Sequence, residues 1–160
     1  MMCAMATLLL ALAVIFTGLY AGMMLIFQTG IMPGLARLPD EHFVPAMTRI
    51  NETVPRPLFV TVFLGLMAFP AAALAVPVDG RTDTQRWLLI AGLVCAVVNN
   101  LITIAGNIPL NNALAAADSA SPAVPASEVR AAFESPWNRL HLIRTLFIIA
   151  SFALVVSAAL

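Results

Sequence analysis

The charged residues of this chain fall into three short windows, and this placement constrains the fold more than any other feature of the sequence. The eight basic and eight acidic residues all lie within residues 37–56, 79–86 and 118–144. Four stretches carry no charge: residues 1–36, 57–78, 87–117 and 145–160. Because roughly 20 helical residues cross a bilayer core about 30 Å thick, the first three stretches are long enough alone. The fourth is long enough when it is extended back into the last charged window.

This pattern predicts an all-α fold: an integral membrane four-helix bundle that forms a single transmembrane domain over residues 1–160. We place the spans near residues 5–31, 57–77, 86–107 and 138–159. The composition agrees, because 61% of the residues are hydrophobic and 10% are charged, against about 45–50% and 25% in soluble domains. The first stretch lacks a basic n-region, so we interpret it as a retained span and not as a signal peptide.

The arginines predict how the bundle is oriented in the membrane. With four spans, the long connections at residues 32–56 and 108–137 share one side. That side carries more arginines than the short turn near residues 77–85, so the long connections are expected to face the cytoplasm. The use of Arg without Lys, together with frequent Ala, is typical of a bacterium with high genomic GC content. We therefore expect a bacterial inner-membrane protein.

The composition also bears on the macromolecular partners. Equal numbers of basic and acidic residues and a pI near 6.7 provide no basic surface for a phosphate backbone, which argues against a nucleic-acid partner. The lipid bilayer is the expected partner. Gly18-x-x-x-Gly22 permits close approach of two helices, but such a motif serves equally inside one bundle or between two copies. The sequence therefore leaves a homo-oligomer open.

Prolines and apolar spacing predict the structure of the two long connections. Asp40 to Val54 has apolar residues at helical spacing, which predicts a short amphipathic helix on the membrane surface. In the second connection, Pro109 is expected to interrupt the end of the third span, and Pro136 to restart the chain before the fourth. Between them, residues 115–127 are rich in Ala, Ser and Pro, which predicts a flexible connector.

Polar residues from three parts of the chain are expected to meet at the end of the bundle that carries the long connections. At about 100° per residue, Trp137, His141 and Arg144 share one face of the fourth helix. Asn107 and Asn111 flank the end of the third span. The first connection supplies two further candidate binding residues, Asn51 and Arg56. A pocket there would be apolar below and polar above, which suits a hydrophobic aromatic molecule that carries a few oxygens.

These motifs resemble the anthrone oxygenase-like family of small membrane proteins. The resemblance rests on four apolar spans, Ile50-Asn51, the turn from Asn107 to Asn111, and Trp137-x-x-x-His141-x-x-Arg144-Thr145. It implies a monooxygenase that converts anthrone-type polyketides to quinones with dioxygen and without a metal or organic cofactor. The residue types suit that chemistry. We predict His141 as the base, Arg144 with Asn107 or Asn111 as stabilisers of the substrate oxyanion, and Trp137 as a stacking wall.

The residues also leave other function classes open. His42 and His141 are two imidazoles in a four-helix membrane protein, so a haem-binding protein is one alternative. A non-haem metal site is disfavoured, because two His and no Asp or Glu within the spans make a poor ligand set. A non-catalytic binder of a lipid- or quinone-like molecule is the remaining alternative, and it agrees with all of the composition.

Overall fold

Every regular element that the structure describes is a helix. The structure is a computed structural model that describes residues 2–78, 80–121 and 124–160, and no strand occurs in these ranges. The helices are α1 (Met2–Ile26), α2 (Met32–Leu35), α3 (Asp40–Thr53), α4 (Pro57–Ala75), α5 (Asp83–Ile102), α6 (Ile108–Asp118) and α7 (Ala126–Ala159). Two π-helical turns, Phe27–Ile31 and Thr103–Asn107, join α1 to α2 and α5 to α6 without a break.

Four of the continuous helices are long and apolar enough to cross a membrane. They run from Ala4 to Leu35, Pro57 to Ala75, Asp83 to Asp118 and Ala126 to Ala159. α1 packs against α4 and α7, and α5 packs against α7 and α4, so successive spans are neighbours around the bundle. The predicted all-α membrane bundle of four spans is confirmed.

Burial separates the inner faces of these helices from the faces that lipid would cover. The middle of the bundle is filled by fully buried side chains such as Tyr20, Leu66 and Ile148. Large apolar side chains such as Leu101 and Leu146 are exposed on the outer faces. A helix with apolar residues all round is the form expected of a span, because lipid solvates its outer side chains and the bundle buries the others.

The third and fourth helices are longer than predicted, because neither proline ends a helix. Pro109 lies in the first turn of α6, directly after the π-turn Thr103–Asn107. Pro136 lies inside α7, at a cost of about 3 kcal/mol for an interior proline. Burial of Phe133 and Trp137 on either side offsets that cost. The predicted flexible connector is therefore helical in part, and the described chain outside α6 and α7 in this region is residues 119–121 and 124–125.

The predicted amphipathic helix of the first long connection is present as α3. Phe43, Val44 and Met47 on its inner face are buried against Phe133 and Trp137 of α7. Asp40 is the first helical residue, and Pro39 is at the N-cap. α3 packs on α6 and α7 and covers the end of the bundle at which the long connections meet.

A matched pair of glycines tests the packing of α1 against α4. A Cβ at Gly65 of α4 would overlap the ring of Phe16, which is held by Phe69 at a centroid distance of 4.6 Å. Gly65→Ala is therefore expected to lower the free energy of unfolding by about 1–3 kcal/mol. Gly22 of α1 has no atom within 4 Å of such a Cβ, so Gly22→Ala is expected to stabilise the helix by about 0.5–1 kcal/mol. Unfolding midpoints in detergent, followed by circular dichroism, compare the two variants, and equal midpoints would contradict this packing.

Candidate functional site

The two π-helical turns lie at the same end of the bundle, and each precedes a proline. The ring of Pro33 or Pro109 would clash with the carbonyl four residues earlier, at Thr29 or Ala105, in a regular α-helix. The wider turn relieves this clash: the N–H of Met32 bonds to the carbonyl of Phe27, and the N–H of Ile108 bonds to that of Thr103. π-turns occur frequently at functional sites.

A cavity of about 620 Å³ lies between these turns, the first half of α4 and the end of α3. Its volume falls in the range of about 300–1,000 Å³ that is usual for small-molecule sites. Most of its wall is apolar, with Phe27, Phe59 and Phe63 among the lining residues. The polar lining residues are Asn51, Thr103, Asn107, Asn111, Trp137 and Arg144.

Arg144 is a buried cation at the cavity wall. Its residue is 7% exposed, and its Nη1 donates to Oγ1 of Thr103 at 3.0 Å. Its Nε and Nη2 contact Nδ1 of His141 at 3.1 and 2.9 Å. No carboxylate of the described residues pairs with it, since the ion pairs found there all belong to Arg130. A buried guanidinium without a counter-ion is costly, so the cavity beside it favours an anion.

His141 lies behind this wall and does not line the cavity. It is 0% exposed and stacks on the Trp137 ring at 4.8 Å between centroids. A guanidinium only donates, so Nδ1 of His141 accepts from Arg144, and the Nε2–H donates to the carbonyl of Met24 at 3.2 Å. Both ring nitrogens are occupied. The prediction that His141 is a base facing the substrate therefore does not agree with its position: no lone pair of the imidazole reaches the cavity.

Asn107 and Asn111 are hydrogen-bonded to the backbone and the side chain of Trp137, respectively. Asn111 Oδ1 accepts from Nε1 of Trp137 at 2.8 Å, and Asn107 Nδ2 donates to the carbonyl of Trp137 at 3.3 Å. Of the amides that line the cavity, Oδ1 of Asn107 and Nδ2 of Asn51 are buried and have no hydrogen-bond partner among the described residues. A ligand in the cavity thus has access to one unpaired acceptor and one unpaired donor.

The structure brings five of the seven predicted site residues to the cavity: Asn51, Asn107, Asn111, Trp137 and Arg144. His141 contacts the site only through its neighbours. Arg56 is exposed at the N-cap of α4 and does not line the cavity, because the chain turns there from α3 to α4 and leaves the side chain outside the bundle. Its predicted binding role is not supported by this placement.

Sequence reasoning missed two polar residues near Arg144. Thr103 is absent from the predicted site, yet it accepts a hydrogen bond from the guanidinium of Arg144 and lines the cavity. Tyr20 of α1 is fully buried and close enough to Arg144 for an electrostatic interaction. Both are polar residues at helical spacing in otherwise apolar spans, and this pattern is the sequence feature that could have identified them.

The two histidines are not arranged as a pair of haem ligands. His42 is exposed on α3, whereas His141 is buried with both ring nitrogens bonded. Within residues 2–78, 80–121 and 124–160, no group of three or more His, Cys, Asp or Glu side chains is close enough to hold a metal ion.

Comparison with known proteins identifies the family. The sequence profile of the anthrone oxygenase family matches residues 43–154, which is most of the chain. The chain belongs to the anthrone oxygenase family. No curated protein and no solved structure matches it. The matched region includes most of α3 and the whole of the third span, together with Trp137 and Arg144, so the anthrone oxygenase profile covers every polar residue that lines the cavity.

Proposed function

We propose that this protein is a membrane-embedded oxygenase that converts an anthrone-type aromatic substrate to a quinone with dioxygen and without a cofactor. The observation that carries this proposal is the buried guanidinium of Arg144, which lacks a carboxylate partner and borders a largely apolar cavity. The family membership supports the proposed substrate class. Arg144 gives the means to stabilise an anion of such a substrate.

The first step needs an anion of the substrate. An anthrone carries an acidic methylene group, and its anion places most of the negative charge on the carbonyl oxygen. Arg144 beside that oxygen binds the anion more tightly than the neutral molecule, so it lowers the pKa of the bound substrate. Nδ2 of Asn51 is a further donor at the cavity. In this scheme the proton leaves to water and not to His141, whose lone pair is bonded to Arg144.

The second step joins the anion to dioxygen. The carbanion passes one electron to dioxygen, and the resulting radicals combine into a carbon-bound peroxide anion. Protonation gives a hydroperoxide, and loss of water, with the second methylene hydrogen, leaves a carbonyl group. One oxygen atom enters the product and the other leaves as water, so the substrate is its own reductant. The apolar walls suit dioxygen, which dissolves better in apolar surroundings than in water.

His141 has a positioning role in this scheme. It fixes the guanidinium through Nδ1, and its own orientation is fixed by the carbonyl of Met24 and by the ring of Trp137. Because Arg144 is already bonded to His141 and Thr103, it does not have to reorganise when an oxyanion forms.

Oxygen uptake by the purified protein in liposomes, with anthrone as the probe, tests the proposal. We expect consumption of one dioxygen per anthrone, faster than in empty liposomes, because anthrones also oxidise spontaneously. With ¹⁸O₂, one labelled atom is expected in the quinone and one in water. Anthrone binding without oxygen uptake above the empty-liposome rate would exclude the oxygenase and favour the non-catalytic binder.

A further inference from the structure

The wall of the cavity is incomplete on one side, between α4 and α6. α4 packs along α1 and, less closely, along α5, but among the described residues it makes at most marginal contact with the Thr103–Asn107 turn or with α6. The cavity extends into this separation. Three of its lining residues there are partly exposed: Val60 (39%) and Leu64 (55%) on α4, and Ile108 (42%) on α6.

The opening between α4 and α6 lies on a part of the surface that lipid would cover. Val60 and Leu64 lie within the apolar stretch of the second span, and Ile108 lies within the uncharged part of the third. Side chains at the opening are aliphatic, so hydrocarbon chains solvate it better than water does. An apolar molecule dissolved in the bilayer meets no polar barrier between lipid and the cavity.

A second route to the cavity would start from the aqueous side, at the connection between α3 and α4. Asn51, Val54 and Pro55 line the cavity there. Pro55 is exposed, but Asn51 and Val54 are half-buried, and α3 covers this end of the bundle by packing on α6 and α7. This side is therefore the more closed of the two.

We propose that the cavity is filled from the bilayer through the opening between α4 and α6, which restricts its ligands to apolar molecules that are uncharged in transit. A charged molecule is costly to move through hydrocarbon, so the ligand becomes an anion only after it reaches Arg144. The identity of the ligand as an oxygenase substrate rests on the proposed function. The route itself does not.

Fluorescence of Trp137 reports access to the cavity directly. The chain has two tryptophans, and Trp87 is 67% exposed on the outer surface, so Trp87→Phe leaves the cavity-lining Trp137 as the only one. In liposomes of this variant, bromobenzene serves as a contact quencher dissolved in the bilayer, and acrylamide serves as its aqueous counterpart. We expect bromobenzene to quench Trp137 and acrylamide to leave it nearly unchanged.

Added bulk at the opening gives the decisive comparison. In the Trp87→Phe background, Ile108→Phe is expected to lose most of the bromobenzene quenching, and so is Leu64→Phe. Ile104→Phe is the matched control, because Ile104 lies one turn before Ile108, is 55% exposed and does not line the cavity. Quenching in the control is expected to equal that of the background.

Two results would overturn the proposed route. One is strong acrylamide quenching that Val54→Phe removes, because it would mark the connection between α3 and α4 as the access. The other is bromobenzene quenching that Ile108→Phe and Leu64→Phe leave unchanged.

Oxygen uptake with anthrone in the same liposomes separates this inference from the proposed function. If bromobenzene quenches as expected but anthrone causes no oxygen uptake, the oxygenase alone is rejected. If oxygen uptake occurs, and Ile108→Phe and Leu64→Phe change neither the uptake nor the quenching, the route alone is rejected.

Discussion

Replacement of Arg144 with methionine is expected to lower oxygen-dependent turnover of anthrone by about 10²- to 10³-fold, the usual cost of removing one donor to a developing oxyanion. Methionine keeps much of the side-chain volume but removes the charge and every N–H. The buried cation has no carboxylate partner among the described residues, so its loss leaves no charge unpaired. Removal of an unpaired buried charge favours the folded state, whereas Nδ1 of His141 loses its donor at an opposing cost of about 1–3 kcal/mol. The unfolding midpoint is therefore expected to change little.

Arg139→Met is the matched control for this result. Arg139 lies on the same helix but is exposed, and it does not line the cavity, so its variant is expected to turn over anthrone at the unaltered rate. Arg144→Lys is a further test, because lysine keeps the charge but cannot keep the bonds to both Thr103 and His141 in the planar geometry of a guanidinium. Full activity in folded Arg144→Met protein would remove Arg144 from the mechanism.

Replacement of Arg130 with methionine is expected to give a large loss of stability. Nε of Arg130 bonds to Glu134 at 2.7 Å, and Nη1 bonds to Asp40 at 2.9 Å and to the carbonyl of Leu38 at 2.8 Å. Nη2 donates to the carbonyl of Ala36 at 3.0 Å, and the guanidinium carbon lies 4.4 Å from the centre of the Phe43 ring. One side chain thus joins α7 to the chain between α2 and α3.

Bonds to charged groups contribute about 1.5–3 kcal/mol each when buried and less when water reaches them. The side chain of Arg130 is 15% exposed, and Asp40 and Glu134 are more so, so we expect a loss of about 2 kcal/mol for the whole set. In a protein of this size that lowers the unfolding midpoint by about 4–8 °C. Thermal unfolding in detergent measures the shift, with Arg139→Met again as the control. Equal midpoints for the two variants would show that these contacts contribute nothing to stability.

The four spans follow from the placement of charge, because a charge in hydrocarbon is costly wherever it occurs. The ends of the helices do not follow from it. Ile108–Asp118 and the first turns of α7 lie beyond the predicted spans, and both pack against α3. Pro109 and Pro136 indicate breaks in the sequence alone. The π-turn before Pro109 and the buried neighbours of Pro136 make both compatible with continuous helices.

The sequence predicts which residues of the site share a helix face, but it does not predict which of them reach the cavity. The spacing of Trp137, His141 and Arg144 places all three on one side of α7, and all three are buried. Which of them reaches the cavity depends on side-chain length and on the neighbouring helix. The long arginine extends past the imidazole to Thr103, whereas the shorter histidine bonds to the carbonyl of Met24 on α1. A carbonyl acceptor on another helix cannot be identified from sequence.

The length of α7 determines how deep in the bilayer this chemistry would take place. Its 34 residues measure about 51 Å at 1.5 Å per residue, against about 30 Å for the hydrocarbon core. Counting back from Ala159, Arg144 lies about 22 Å from that end of the helix. With Ala159 at one boundary of the core, the Cα of Arg144 sits about 8 Å inside the other. At that depth the site lies among acyl chains, in which dioxygen is concentrated. It is also close to the headgroup water, with which hydrogen ions can exchange.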